Sequence, residues 1–448
     1  MNPKMTRAFS ALVLLLVAQS VAAQDTTRVP TGVELRGTYT VMKRPFLALR
    51  PIAGPSPVAE AVTSILRQDM DFSDRFEVVE TPSALASGPV DYAQWNSLNL
   101  VYLLTGEVEP GASGYRLSLT LHDVPFGTAK QTAAFNIPAP TAPDFRMAVH
   151  AVADEAVRWM TGKPGSAASR IVFVRRRGNT HELVVTDYDG ANQRTIATAS
   201  DKFYTPAWSP DGRKIAYGVR LPSGRVAVVE RDLTTGTTRT ISERSVISYA
   251  PAYSPDGRRL LFSYAIGNGT EIYQYDLERG CCMQRITKGP GADVGPSFSP
   301  DGSRIAFHSD RLGRNHIWIA PSDGSGDATL LTPISQSAEF HSPDWSPTGS
   351  EIAFYGQSRG GYQIMIANVS RPGSAEQLTT SGSNEGPSWA PDGQHIVYDG
   401  VGSGQRGLYV IDKETRRIRP VITGSSAERF EMADWSPVLM TAAQIRAN

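Results

Sequence analysis

The chain has 448 residues, 44 basic and 44 acidic side chains, two cysteines, 40 glycines and 31 prolines. Balanced charge excludes the basic excess of a nucleic-acid binder, and two cysteines exclude a disulfide-built scaffold or a Cys-rich zinc module. Gly and Pro together exceed the usual ~12% but stay well below the ~25–30% of low-complexity chains, so a turn-rich, largely β globular protein of roughly two to four domains is expected.

The N-terminus reads as an export signal. Lys4 and Arg7 precede an apolar run over 11–18, and Val21-Ala22-Ala23 offers small residues for cleavage between Ala23 and Gln24. That run is too short to cross a bilayer, which takes about 20 residues. No later segment is long and apolar enough, so no direct membrane span is expected and the mature chain is read as soluble and exported. Residues 24–43 are polar and unpatterned and are expected to form a mobile N-terminal segment. Residues 44–162 alternate strand-like and helix-like stretches and predict a small α/β domain. Strands are expected near 46–49, 76–79, 100–108, 115–122 and 132–137. Residues 57–70 predict a helix with Val58, Val62, Ile65 and Leu66 on one stripe. Asp144 is placed to cap a second helix, whose Phe145, Val149, Val152, Ala156 and Trp159 follow 4-3-4-3 spacing. Residues 163–169 read as a linker.

From about residue 170 an internal repeat takes over. Pro206-Ala-Trp-Ser-Pro-Asp-Gly212 recurs with small changes from Pro251, Pro296, Pro343 and Pro387, and a shortened copy runs from Ala433 to Pro437. Spacing near 45 residues is that of one four-stranded propeller blade. Ser-Pro-Asp-Gly suits a type I turn, with Pro presetting φ and Gly closing it. The aromatic ahead of each turn (Trp208, Tyr253, Phe298, Trp345, Trp389, Trp435) is expected to fill the space between neighbouring sheets. The last copy has no blade after it, while the stretches near 171–174, 183–187 and 194–196 form a blade body with no such strand before it. Pairing the two closes the ring. The expected fold is mainly β: a six-bladed β-propeller over 170–440, closed by the C-terminal strand, preceded by the α/β domain and followed by a tail at 441–448.

The order of export signal, α/β domain and six aromatic-bearing units, with Leu183-Val-Val-Thr-Asp-Tyr-Asp-Gly-Ala-Asn192 and Trp95-Asn-Ser-Leu-Asn-Leu-Val-Tyr-Leu-Leu-Thr-Gly-Glu-Val108, resembles the TolB family, the periplasmic propeller component of the Tol-Pal envelope system. The resemblance spans nearly all of the mature chain. It implies a non-enzymatic scaffold whose propeller mouth binds the peptidoglycan-associated lipoprotein Pal. It further implies that the mobile N-terminal segment is offered to the inner-membrane component TolA, and that the system supports outer-membrane integrity and constriction at cell division. Residues 24–43 do not match the family's TolA-binding segment. The mouth is assigned by position only, to Tyr204, Thr205, Ser248, Tyr249, Asp293, Val294, Glu339, His341, Asn384, Glu385, Phe430 and Glu431, which lie just ahead of each repeat copy.

Other constellations carry less. Gly356-Gln-Ser358-Arg-Gly360 matches a nucleophile elbow, but its place after a strand favours a hairpin loop. The recurring Asp211, Asp256, Asp301 and Asp392 favour a structural turn role, while a channel cation such as calcium stays open. Histidines are scattered without zinc spacing, so no cofactor or metal is expected. Adjacent Cys281 and Cys282 are read as a free or redox-accessible thiol pair, and Arg175-Arg-Arg177 as a solvated strand end. The alternative functional reading is an accessory propeller of a peptidase-like enzyme, or a glycan-binding propeller.

Overall fold

The computed structural model describes residues 44–242, 247–267, 269–334, 338–402 and 404–447. The expected signal at 1–23, its cleavage point at Ala23 and Gln24, and the segment 24–43 lie outside the described residues.

The N-terminal domain runs β1 (Phe46–Leu49), α1 (Ser56–Phe72), β2 (Glu77–Val79), α2 (Tyr92–Ser97), β3 (Tyr102–Gly111), β4 (Gly114–Asp123), β5 (Thr128–Ile137) and α3 (Phe145–Thr161). Its sheet has the order β2-β1-β3-β4-β5, with β1 parallel to both neighbours and β3, β4 and β5 antiparallel. In α1, Val58, Val62, Ile65, Leu66 and Met70 recur at helical spacing and share one buried cluster with Leu47, Leu49 and Leu104 of the sheet and Val149 and Val152 of α3. Full burial of one such side chain stabilises by about 1.5–3 kcal/mol. Asp144 stands at the N-cap of α3, but its side chain bonds no helix amide, which corrects the capping expectation. Its backbone (φ −100°, ψ 1°) is not the extended conformation that aims a cap oxygen at the first turn.

Six four-stranded antiparallel sheets form the propeller. Their innermost strands are Phe203–Trp208, Ser248–Tyr253, Asp293–Phe298, Phe340–Trp345, Glu385–Trp389 and Glu428–Trp435, each lying against the next around the axis. The last pairs antiparallel with Arg170–Arg177, placing Glu428 opposite Arg177 and Trp435 opposite Ile171. The sheet that begins the propeller in sequence thus receives its inner strand from the far end of the chain.

The repeat text explains both the turns and the packing. Gly212, at φ 67°, donates its N–H to Ser209 O at 2.9 Å, while Asp211 accepts from Ser209 Oγ at 2.6 Å and from Arg213 N at 3.0 Å. Asp256 and Asp301 repeat this pattern, a local backbone role. The aromatics bridge sheets: Trp208 shares a buried cluster with Val172, Leu183 and Val185 of the preceding sheet, and Arg304 lies 4.9 Å from the ring centroid of Trp345 in the next.

The N-terminal domain docks on the propeller end that carries these turns. Asp154 of α3 accepts from the N–H groups of Ala167 and Ala168 at 2.8 and 2.9 Å, so the segment joining the domains is pinned. Asp69 of α1 accepts from the hydroxyl of Tyr188 and lies 2.8 Å from His150 Nδ1. Arg419 reaches Asp71 and Asp74, the latter at 2.9 Å. After the propeller the chain returns to this domain, where Ala447 N donates to Ala134 O of β5.

Two expectations are corrected. Cys281 and Cys282 are joined by a disulfide, with Cys282 at φ 69° turning the backbone so that neighbouring side chains meet. Arg175 is buried rather than solvated: it donates to Glu182 at 2.8 Å and to Gln193 at 3.0 Å, which satisfies its charge inside the sheet. Ser358 ends a hairpin strand and donates to Gln377 Oε1 at 3.1 Å.

Candidate partner-binding mouth

Each inner strand carries the same irregularity near its start. Two of its residues oppose one on the neighbouring strand: Thr205 and Pro206 face the gap between Ala216 and Gly218, and the shift recurs in all six sheets. The first bulged residue always has positive φ: Thr205, Ala250, Gly295, Ser342, Gly386 and Met432. In five copies the next residue is Pro, which has no N–H to give a ladder and is confined within sheets to positions such as bulges. The bulges turn the strand starts around one end of the axial channel, opposite the docked domain. The channel encloses about 1140 Å³.

Of the residues assigned to the mouth by position, Thr205, Tyr249, Val294, Glu385, Phe430 and Glu431 line this channel. Tyr204 lies beside Tyr249, with ring centroids 6.2 Å apart. His341 stacks on Tyr355 at 5.2 Å, and Glu339 lies 3.5 Å from its Nε2. Ser248, Asp293 and Asn384 are instead turned inward and buried, which corrects their reading as a contact surface. Asp293 accepts two bonds from Arg311 Nη2, at 2.8 and 2.9 Å, and Asn384 donates to Gln363 Oε1 and Ser381 O. Both hold the rim in shape from behind.

Sequence reasoning missed His308, Tyr355 and Asp399. They sit on the second strand of their sheets, directly opposite Val294, His341 and Glu385. A signal existed. Each follows the apolar triple after the turn, as in Ile305-Ala-Phe-His308, Ile352-Ala-Phe-Tyr355 and Ile396-Val-Tyr-Asp399.

The lining has two chemical halves. On one side, His308 and Tyr355 line the channel and His341 packs against both rings, forming an aromatic group. Burial holds His308 down to about 3, with His341 adding to the effect, and burial lowers His341 against the pull of Glu339, so both imidazoles are neutral at pH 7. On the other side stand Glu385, Asp399 and Glu431. Burial raises Glu385 and Asp399, and each is raised further by a neighbouring carboxylate. Deeper in the channel, Asp344 accepts from Ser297 Oγ and Trp389 N, and Asp434 accepts from Ser388 Oγ and Trp208 N, which stitches sheet to sheet. Burial pushes them up to about 6 and about 7. The mouth therefore offers aromatic faces to apolar side chains and carboxyl oxygens to backbone N–H groups or basic side chains. Among the described residues, the clusters with three close metal-ligand atoms lie at the domain junction and not in this channel.

Comparison with known proteins agrees with this architecture. A family model described as the TolB beta propeller domain matches residues 157–439, and one described as the TolB amino-terminal domain matches residues 38–129. The chain is 33% identical over 434 residues to the Tol-Pal system protein TolB of Bordetella parapertussis, covering 96% of each chain. It is also 33% identical over 437 residues to the protein of that name from Bordetella pertussis, again covering 96% of each. In structure it is similar to TolB from Acinetobacter baumannii, with TM-score 0.77 and 26% identity over 91% of this chain and 100% of that one.

Proposed function

Because the chain belongs to the TolB family, we propose that it is a non-catalytic periplasmic scaffold of the Tol-Pal envelope system. In this reading its propeller mouth binds a peptidoglycan-associated lipoprotein, and the complex supports outer-membrane integrity and constriction at division. The observation that carries the reading is the channel mouth itself. It lies opposite the docked N-terminal domain, and it combines aromatic rings with carboxyl groups in a recess large enough for a chain segment. Interfaces draw most of their affinity from a few such anchors, here Tyr249, His341, Tyr355 and Glu385.

The test is capture of envelope proteins on the folded mature chain, followed by the same capture on Tyr249→Ala and Glu385→Gln. Recovery of a lipoprotein with a peptidoglycan-binding domain, weakened about tenfold or more in the variants, supports the reading. Recovery of none, or equal recovery by both variants, overturns it. Turnover of peptides or glycans that disappears with the same substitutions would favour the catalytic alternative.

A further inference from the structure

One turn in the ring departs from its sisters in two residues at once. Where the others carry Ser at the head of the turn, the fifth carries Ala390. Where Lys214, Arg259, Arg304 and Glu351 stand two residues after the turn glycine, the fifth carries His395. The consequence is local: Asp392, with no turn hydroxyl to hold, lies 2.6 Å from His395 Nδ1 instead. A carboxylate on Nδ1 fixes the ring and leaves Nε2 pointing away, the arrangement by which ligand histidines are oriented toward metals.

Nε2 of His395 points at two more carboxylates. Asp74 Oδ2, from the N-terminal domain, is 3.6 Å away and Asp412 Oδ2, from the same propeller sheet, is 3.7 Å away. The three atoms lie within 4.8 Å of one another, and the three residues are buried. His395 is 1% exposed and Asp412 0%, yet His395 Nε2 and Asp412 Oδ2 have no hydrogen-bond partner. Such atoms are costly to bury unsatisfied. The remaining oxygens are already used: Asp412 Oδ1 accepts from Glu414 N and Thr415 N, and Asp74 Oδ1 from Arg417 and Arg419. Locally Asp71, Asp74, Asp392 and Asp412 outnumber Arg417 and Arg419, and Arg44, which also reaches Asp74, pairs with Glu77.

We propose that Asp74, His395 and Asp412 bind one first-row divalent cation of the Zn²⁺ type, which fastens the N-terminal domain to the propeller. Two carboxylates and one imidazole suit such an ion and leave a fourth position for water. A cavity of about 250 Å³, lined in part by Phe72, Ser73, Asp392 and Gln394, lies next to the cluster, bordered by the chain neighbour of Asp74 and the carboxylate that holds His395 Nδ1. The other three-ligand cluster, at His150, Asp187 and Asp189, is different because the Arg146 guanidinium already pairs with both of its carboxylates.

The competing occupant is a proton on His395, which its surrounding carboxylates favour over the opposing effect of burial. Titration of ZnCl₂ into the EDTA-treated full mature chain, followed by calorimetry, separates the two. One Zn²⁺ per chain is expected. Binding should be at least tenfold weaker in His395→Gln and Asp412→Asn, about 10–100-fold weaker in Asp392→Asn, and unchanged in His181→Gln. Should a junction variant fail to fold, the wild-type chain labelled with ¹⁵N-histidine decides: a shift of the His395 Nε2 resonance on adding Zn²⁺ supports the site. No uptake by the folded wild type, uptake unchanged in His395→Gln and Asp412→Asn, or an unmoved Nε2 resonance overturns it.

Discussion

Trp435→Ala tests whether the ring is held shut by its last strand. Trp435 is 5% exposed and shares a buried cluster with Ile171, Phe173 and Val184 of the sheet it completes, and its indole N–H donates to Ser169 Oγ at 2.7 Å. Truncating a buried Trp costs about 3–5 kcal/mol through lost transfer and the cavity left behind, and losing the hydrogen bond adds about 1 kcal/mol. Glu428–Trp435 joins its sheet through non-covalent pairing alone, so the loss falls on that seam as local opening. At about 1.4 kcal/mol per factor of ten, the open seam becomes roughly 10³–10⁴ times more populated. Hydrogen exchange read by mass spectrometry should show that acceleration in peptides covering 170–177 and 428–435. The peptide covering 293–298, across the ring, should exchange as in the wild type. Trp435→Phe keeps most of the apolar contact and should give about a tenfold effect. Equal acceleration in all six sheets, or none at the seam, would refute the reasoning.

Three further outcomes are expected. Asp154, raised to about 7 by burial, is neutral in the folded chain and charged in the unfolded chain between about pH 4 and 7. The folded state then holds more protons, and the contribution of Asp154 to stability falls as pH rises through about 7. Urea midpoints across that range should show the wild type losing ground relative to Asp154→Asn, and a pH-independent difference would contradict the assignment. At the bulges, Thr205→Gly relieves a β-branched residue held at φ 26° and should stabilise by about 1 kcal/mol. Gly386→Ala places a Cβ 2.8 Å from Asp399 Oδ1 and should lower the melting temperature, so the two substitutions move it in opposite directions. Arg419→Ala removes one charged partner from the buried Asp74, which keeps Arg417, and from the half-exposed Asp71, and a lost hydrogen bond between charged groups costs about 1.5–3 kcal/mol. Limited proteolysis should then cut faster at 163–169, and unchanged cleavage would show that Arg419 does not hold the domains together.

The ring was legible in the text because each sheet is a local unit: strand, turn and aromatic filler recur together, and a strand without a blade can only complete a blade without a strand. The same locality exposes the departure at Ala390 and His395 once the copies are aligned by their turns. The mouth was half legible. Its positions follow from the repeat, but a bulge with positive φ re-aims side chains in a way that period-two alternation does not encode, so Ser248, Asp293 and Asn384 point inward. His308, Tyr355 and Asp399 reach the rim only because strand pairing sets them opposite it. The junction was not legible at all. Asp74 and His395 stand far apart in the chain and belong to different domains, and periodicity reports which face of an element is apolar, not which two finished surfaces will meet. The sequence by itself determined the blades, their number and their closure through local patterning. The tertiary structure alone decided which charges became neighbours, because burial and distance in space create a site that no spacing along the chain records.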